Sequence, residues 1–208
     1  MYKLYTRPGS GGFVVEAALA LAGAPFERID VPKQERPDPA FLDISPLNQI
    51  PVLTLPDGNS MTESAAMCIL IAERHPEAGL APAMGSPARA DFLRWMTFMS
   101  AVLYSAMLRL FYAHRYTADA DGLEAVKQAA VSEMDRGFAI VDAALEGRDW
   151  LVGDQFSLAD IYLAMLVAWH PEVEKVPAAW PNIERVWAAL REHQVIRKVN
   201  ASHDVWPA

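Results

Sequence analysis

SPLNQIPVLTLPDGNSMTESAAMCILIAERHP, running from Ser45 to Pro76, decides how the first third of the chain is read. It opens as an extended loop that reaches a Gln49-Ile50-Pro51 corner. Val52 to Leu55 is rich in β-formers, and Pro56-Asp57-Gly58-Asn59 supplies Gly and Asx turn chemistry before a second short strand. From Glu63 onward Ala65, Ala66, Cys68, Ile69, Leu70 and Ile71 make an apolar helix. It stops at His75-Pro76, because the residue before a proline is pushed out of the helical region. A hairpin followed by a helix is architecture, and chemistry has to come from what the rest of the chain places beside it.

Upstream, Tyr2 to Thr6 predicts a first strand, ended by Arg7-Pro8, and Phe13 to about Leu21 predicts a helix with Gly23 as its stop. Phe26 to Val31 alternates apolar and polar residues at period two, as a half-buried strand does. Strand, helix and strand within about 30 residues form a βαβ unit, which requires parallel pairing. Lys33 to Pro39 is polar and proline-rich and reads as loop, with a short helix at Pro39 to Leu42. Pro76 to Pro87 holds three prolines and two glycines without periodicity and reads as a linker. No strand pattern follows. Ser86-Pro87 is an N-cap with Pro at the first helical position, opening a helix to about His114. Further helices are expected over Ala120 to about Glu146, Phe156 to His170 and Trp180 to about Glu192, with a last turn at Val195 to Val199. The fold class is therefore a small α/β N-terminal part followed by an all-α remainder.

Composition narrows the function classes. The 208 residues are 52% hydrophobic and 21% charged, which describes an ordered chain with a sizeable core. A net charge of −8 with no basic run argues against nucleic acid as a partner. Trp95 to Leu108 is the most apolar region and is too short to cross a bilayer, and the N-terminus has no apolar signal core. Cys68 is the one cysteine, so no internal disulfide and no Cys-x-x-Cys pair can form. A reducing cytoplasm with no membrane partner is the default reading.

Several short patterns carry local explanations. Ser157 and Asp160 are spaced as a capping box, and Asp160 reads as structural. Gly9-Ser10-Gly11-Gly12 matches neither a P-loop nor a dinucleotide fingerprint. It does put a hydroxyl among small residues at a helix N-terminus, where free N–H groups favour an anion, although a plain turn with Ser10 as N-cap explains it as well. Ser60 and Glu63 fit a capping box, Thr62 is a rival N-cap, and Ser64 in the first turn could hold a carboxylate. Pro51 belongs at an edge or bend. Cys68 sits among Ala, Met and Ile as a core residue, and His114 is the one histidine kept as a site candidate. No His, Asp or Glu spacing matches a metal site.

Together these pieces resemble the soluble glutathione transferase family over nearly the whole chain. The matching stretches are KLYTRPGSGG into the first helix, SPLNQIPVL, the Glu63-Ser64 pair, FSLADIYLA and AWPNIERVWAAL. The resemblance implies a thioredoxin-like domain at 1–77, a linker at 78–86 and a helical domain at 87–208, in a cytosolic homodimer of a bacterial type. It also implies glutathione as co-substrate and no metal. Pro51 resembles the family's cis-proline, after which the backbone of Val52 pairs with the cysteinyl part of glutathione. Glu63 and Ser64 match the pair that holds the γ-glutamyl end, and Gln49, Ile50 and Lys33 lie where further contacts are made. The sulfur would then meet the start of the first helix near Ser10. Free thiol of pKa about 8.5 is only about 3% ionised at pH 7, so lowering it by about two units would make most of it thiolate.

The chain departs from the familiar classes at that point. Cysteine-type members carry Cys at about Gly11 and serine-type members carry Ser at about Gly9, so Ser10 falls between them. Ser10, with the Gly11 and Gly12 amides, is taken as the activating group, and Tyr5 as structural. The electrophile pocket is expected to be lined by Gly11, Gly12, Phe13 and the inward face of the first long helix, where Trp95, Met99, Tyr104, Leu108 and Tyr112 stand. Conjugation of apolar electrophiles is the leading reading. A zeta-type isomerase, resembled by SPLNQIPVL and ALALAG, would need Arg109 or Arg115 in the site. A non-catalytic binding module is the third.

Overall fold

The computed structural model describes residues 1–33 and 38–207. The loop expected over Lys33 to Pro39 therefore falls largely on residues 34–37, outside the described residues. Two compact units share the chain: Met1–Ser86 together with the segment from Leu190 onward, and Pro87–Ala189.

The first unit is built on a sheet of four strands, β1 (Tyr2–Thr6), β2 (Phe26–Asp30), β3 (Val52–Thr54) and β4 (Ser60–Met61), in the order β2-β1-β3-β4. β1 and β2 run parallel, as the intervening helix α1 (Gly12–Leu21) demands, and the other pairings are antiparallel. α2 (Pro39–Leu42) opens with Asp38 accepting from the Ala40 N–H at 2.9 Å. α3 (Ser64–Arg74) packs on α1, which is buried from Gly12 to Leu19. Tyr5 is half-buried against Phe41, with ring centroids 6.0 Å apart.

The second unit is helical. α4 (Ala88–Phe98) does not continue unbroken to His114, contrary to the sequence reading. A π-helical stretch spans Met99–Tyr104, α5 (Ser105–Phe111) follows, and Tyr112 leaves the helical region. The stretch packs closely on the neighbouring helix α6 (Leu123–Ala144): a Cβ on Gly137 would lie 2.5 Å from Leu103 Cδ2, so Leu103 occupies space that the glycine leaves. α7 (Leu158–Ala168) is buried from Leu158 to Val167 and starts with the expected box, complete on both sides. α8 (Val176–Ala179) is short and was hidden by Pro177. Asp142 of α6 caps α9 (Pro181–Glu192), accepting from the Asn182 N–H at 2.8 Å and the Ile183 N–H at 3.0 Å.

The last element corrects the sequence reading more strongly. In place of a single turn, α10 (Gln194–His203) is a full helix whose buried positions are Ile196, Val199, Asn200 and His203. That spacing is a helical face, but two of its four members are polar, which concealed it. α10 packs on α1 within the first unit.

Candidate active site

Strand register decides where a ligand meets the first unit. Tyr5, next to the end of β1, stands opposite Val52 at the start of β3, and Met61 at the end of β4 stands opposite Leu53. β2 ends beside β1, where the Val31 N–H donates to the Thr6 carbonyl at 2.7 Å. Four segments therefore gather at one end of the sheet: Arg7 to Gly12, Val31 to Lys33, Gln49 to Pro51, and Thr62 to Ser64. Ligands of α/β sheets are met at such strand ends, where loops are free to vary.

The third segment is built by Ser45. Its buried hydroxyl donates to the Gln49 carbonyl at 2.7 Å and accepts from the Gln49 N–H at 2.9 Å, with Asn48 left-handed at φ 51°. The Ile50–Pro51 peptide is cis. Pro51 and Val52 are buried, while Gln49 and Lys33 are exposed and Ile50 is half-buried. β4 pairs with Leu53 and Thr54 only, so among the described residues no strand flanks Val52 on its outer side. An extended peptide can add there through main-chain hydrogen bonds.

The fourth segment departs from the expected cap. Glu63 is the N-cap of α3 but makes no side-chain cap bond, and Ser60 instead bonds the Thr54 hydroxyl across the hairpin at 2.8 Å. Thr62 does not cap either, since the helix starts at Ser64. Glu63 is held at φ 70°, a conformation that costs a non-glycine residue about 1–3 kcal/mol. Such strain persists where a site needs it, and it puts the buried Ser64 at the mouth of an eleven-residue helix whose first N–H groups favour a carboxylate.

The first segment is the tightest. Gly9 turns at φ 67°, and the Ser10 hydroxyl donates to the Arg7 carbonyl at 2.7 Å while accepting from the Gly12 N–H at 3.3 Å. Thr6 Oγ1 lies 3.2 Å from Ser10 Oγ. A hydroxyl has one proton, so in this rotamer Ser10 closes the turn, and it must rotate to donate to a ligand. Gly11 is buried, and its amide has no hydrogen-bond partner among the described residues. The first turn of α1 carries no acidic residue to oppose an anion there.

Cys68 is fully enclosed, and burial pushes its thiol well above the usual range. A reactive thiol in this protein therefore has to arrive with a ligand. A disulfide reagent is expected to leave the native protein unlabelled at neutral pH and to titrate one thiol only after unfolding, as followed by mass spectrometry.

The expected pocket residues separate on burial. Phe13 is a correction: it has no exposure and is enclosed edge-on by Trp206 at 4.9 Å and His203 at 5.8 Å, so it belongs to the core. Gly11 and Gly12 are buried in the turn itself. Met99 is likewise wholly buried, and Trp95 nearly so with the Arg94 guanidinium 4.1 Å over its ring, whereas Tyr104, Leu108 and Tyr112 are half-buried. His114 is exposed beside Tyr112. Arg109 is bonded to Glu133 of α6, and Arg115 stacks on Tyr112 at 4.3 Å. A depression of about 660 Å³ lies between Asp43 to Pro46 and Gly58 to Thr62; it touches the fourth segment at Thr62 and contains none of the residues expected at the site.

The sequence reading missed a cluster under the first turn: Glu16, Arg28 and His203. A lone acid inside the apolar run FVVEAALAL was the signal available for it.

The family models for the glutathione S-transferase N-terminal and C-terminal domains match residues 14–74 and 95–194. A glutathione S-transferase of Xanthomonas campestris is 30% identical over 167 residues, covering 80% of this chain and 81% of its own. The maleylacetoacetate isomerase of Pseudomonas aeruginosa is 25% identical, covering 97% and 96%. Among solved structures, a sphingomonad glutathione S-transferase complexed with glutathione superposes with a TM-score of 0.82 at 30% identity, over 98% of this chain and 100% of that one.

Proposed function

Because the chain belongs to the glutathione S-transferase family, we propose that it binds glutathione at the gathered end of its sheet, ionises the thiol and transfers it to small apolar electrophiles. The observation that carries this reading is the strand register, which collects the unpaired edge at Val52, the helix mouth at Ser64 and the turn at Ser10 to Gly12. In this reading Val52 pairs with the peptide as an added strand, and Glu63 and Ser64 hold the γ-glutamyl end, its carboxylate at Ser64 and the start of α3 and its ammonium at Glu63. Gln49, Ile50 and Lys33 flank the tripeptide, with the chain turned into β3 at Pro51. The sulfur is met by the Gly11 and Gly12 amides, with the Ser10 hydroxyl rotating off the Arg7 carbonyl to join them. Half-buried Tyr104, Leu108 and Tyr112 are the candidates for apolar substrate contact. The active form is taken as a cytoplasmic homodimer with a detoxifying role. Among the described residues, no helix is long and apolar enough to cross a membrane.

The protein supplies position and charge, and glutathione supplies the nucleophile. Isomerisation of a dicarboxylate is favoured by the likeness to the Pseudomonas enzyme, but Arg109 and Arg115 are both engaged by neighbours in their own unit. Conjugation is the better supported reading.

The test is retention on immobilised glutathione followed by conjugation of a chloronitrobenzene. Wild type is expected to be retained and active. Ser10→Ala should be retained equally and lose turnover about 100-fold, the lower end of the range for one lost donor to a developing anion. Unchanged turnover would remove the hydroxyl from the mechanism and leave the amides. No retention of wild type would leave the fold as a binding module for something other than glutathione.

A further inference from the structure

The C-terminal segment grips the turn Gly9–Gly12 from both sides. Ahead of Ser10, the Gly9 N–H donates to the His203 carbonyl at 2.6 Å. One turn and a half beyond it, Glu16 of α1 meets the His203 side chain, Nε2 to Oε2 at 2.8 Å, with His203 fully buried and Glu16 8% exposed. A carboxylate only accepts, so Nε2 donates in this contact, and Nδ1 has no partner among the described residues. Arg28 of β2 closes the cluster: Nη1 reaches Glu16 at 3.1 Å, and Nη2 reaches the Ser202 carbonyl at 3.1 Å and Asp30 at 2.9 Å. Ser202 Oγ lies 3.4 Å from Glu16 but gives its one proton to the Val199 carbonyl at 2.9 Å.

Beyond His203 the chain reverses at Asp204, left-handed at φ 50°, and Asn200 binds the return. Its side chain accepts from the Val205 N–H at 3.0 Å and donates to the Trp206 carbonyl at 2.8 Å, which sets Trp206 on Phe13. Apolar contact alone would dock α10 on α1 at less desolvation cost than a buried Glu–His pair. What the pair adds is one fixed register, and the atom held by that register is the amide next to Ser10.

We propose that His203, anchored by Glu16, is a positioning residue for the turn Gly9–Gly12 and through it for ionisation of the glutathione thiol; this rests on the glutathione-binding reading above. The turn's donors stabilise a thiolate only when held where the sulfur lies, so loosening the grip costs ionisation while the rest of the tripeptide stays bound.

The test follows the ultraviolet absorbance of enzyme-bound thiolate against pH, with steady-state kinetics and amide exchange over Gly9–Phe13. His203→Leu and Glu16→Leu are expected to raise the bound thiol's pKa by about one unit, from about 6.5, and to lower kcat at neutral pH about threefold. The KM for glutathione should stay within about twofold, and exchange in the turn should quicken. His203→Gln keeps an N–H donor for Glu16 and is expected to hold the wild-type titration. Variants with a lower melting temperature but an unchanged thiol titration and kcat would overturn the proposal, making the tail purely structural. If wild type itself shows no thiolate absorbance, the glutathione reading falls, and this one with it.

Discussion

Gly12→Ala is expected to destabilise the protein by about 3 kcal/mol and to remove most of its conjugating activity even where it remains folded. A Cβ at this position would lie 1.8 Å from Thr6 Oγ1 and 2.6 Å from Thr6 Cβ. Neither atom can move aside. Thr6 is fully buried, branched at Cβ and fixed on β1, so the start of α1 would have to shift away from the strand. That shift takes the Gly11 and Gly12 amides with it, and with them the proposed thiolate site. Chemical denaturation measures the first effect, and the chloronitrobenzene assay on folded protein the second. Thr6→Ala in the Gly12→Ala background removes Oγ1 but not Cβ. It should recover part of the lost stability, a coupling between sites in contact. A Gly12→Ala protein as stable as wild type would mean that the turn opens easily, and the close approach of strand and helix would then have no role in holding the amides.

How much of this could be read from residues depends on the range of the interaction. The βαβ start, the hairpin and the box at Ser157 to Asp160 were legible because their causes lie within a few positions: period-two alternation, Asx and Gly turn residues, and a serine three places before an acid. The gathering of four segments at one sheet end was implied by the resemblance, and the register supplies its physical reason. Features set by distant partners were not legible. The seat of Leu103 in the π-helical stretch depends on Gly137, 34 residues away. α10 was hidden because Asn200 and His203 occupy an apolar stripe for reasons that lie on α1 and in the tail. Polar residues in a buried face read as exposure until their partners are known.

Asp160→Ala is the second large effect, about 3 kcal/mol of stability with an unchanged KM for glutathione. The carboxylate lies wholly inside the second unit. One oxygen accepts from the Leu151 N–H at 2.8 Å, and the other from the Ser157 N–H at 2.8 Å and the Ser157 hydroxyl at 3.0 Å. Truncation strands two buried amides, each costing about 1–3 kcal/mol, which is more than the roughly 1 kcal/mol of an ordinary helix cap. Burial is the largest influence on the group and outweighs the hydrogen bonds from Leu151 and Ser157, so its pKa is raised to about 6. The sign of the pH dependence follows. A carboxyl with a raised folded pKa binds its proton more tightly in the native state, so its contribution is fully present below the unfolded value and is lost as pH rises through about 6. Between about pH 4.5 and 7.5 wild type should lose roughly 2 kcal/mol relative to Asp160→Asn, which cannot titrate. Urea unfolding of both proteins at the two ends of that window measures the difference. Parallel stabilities would show that the hydrogen bonds hold the carboxylate ionised in spite of its burial. A raised KM for glutathione at wild-type stability would instead move Asp160 from the scaffold to the site.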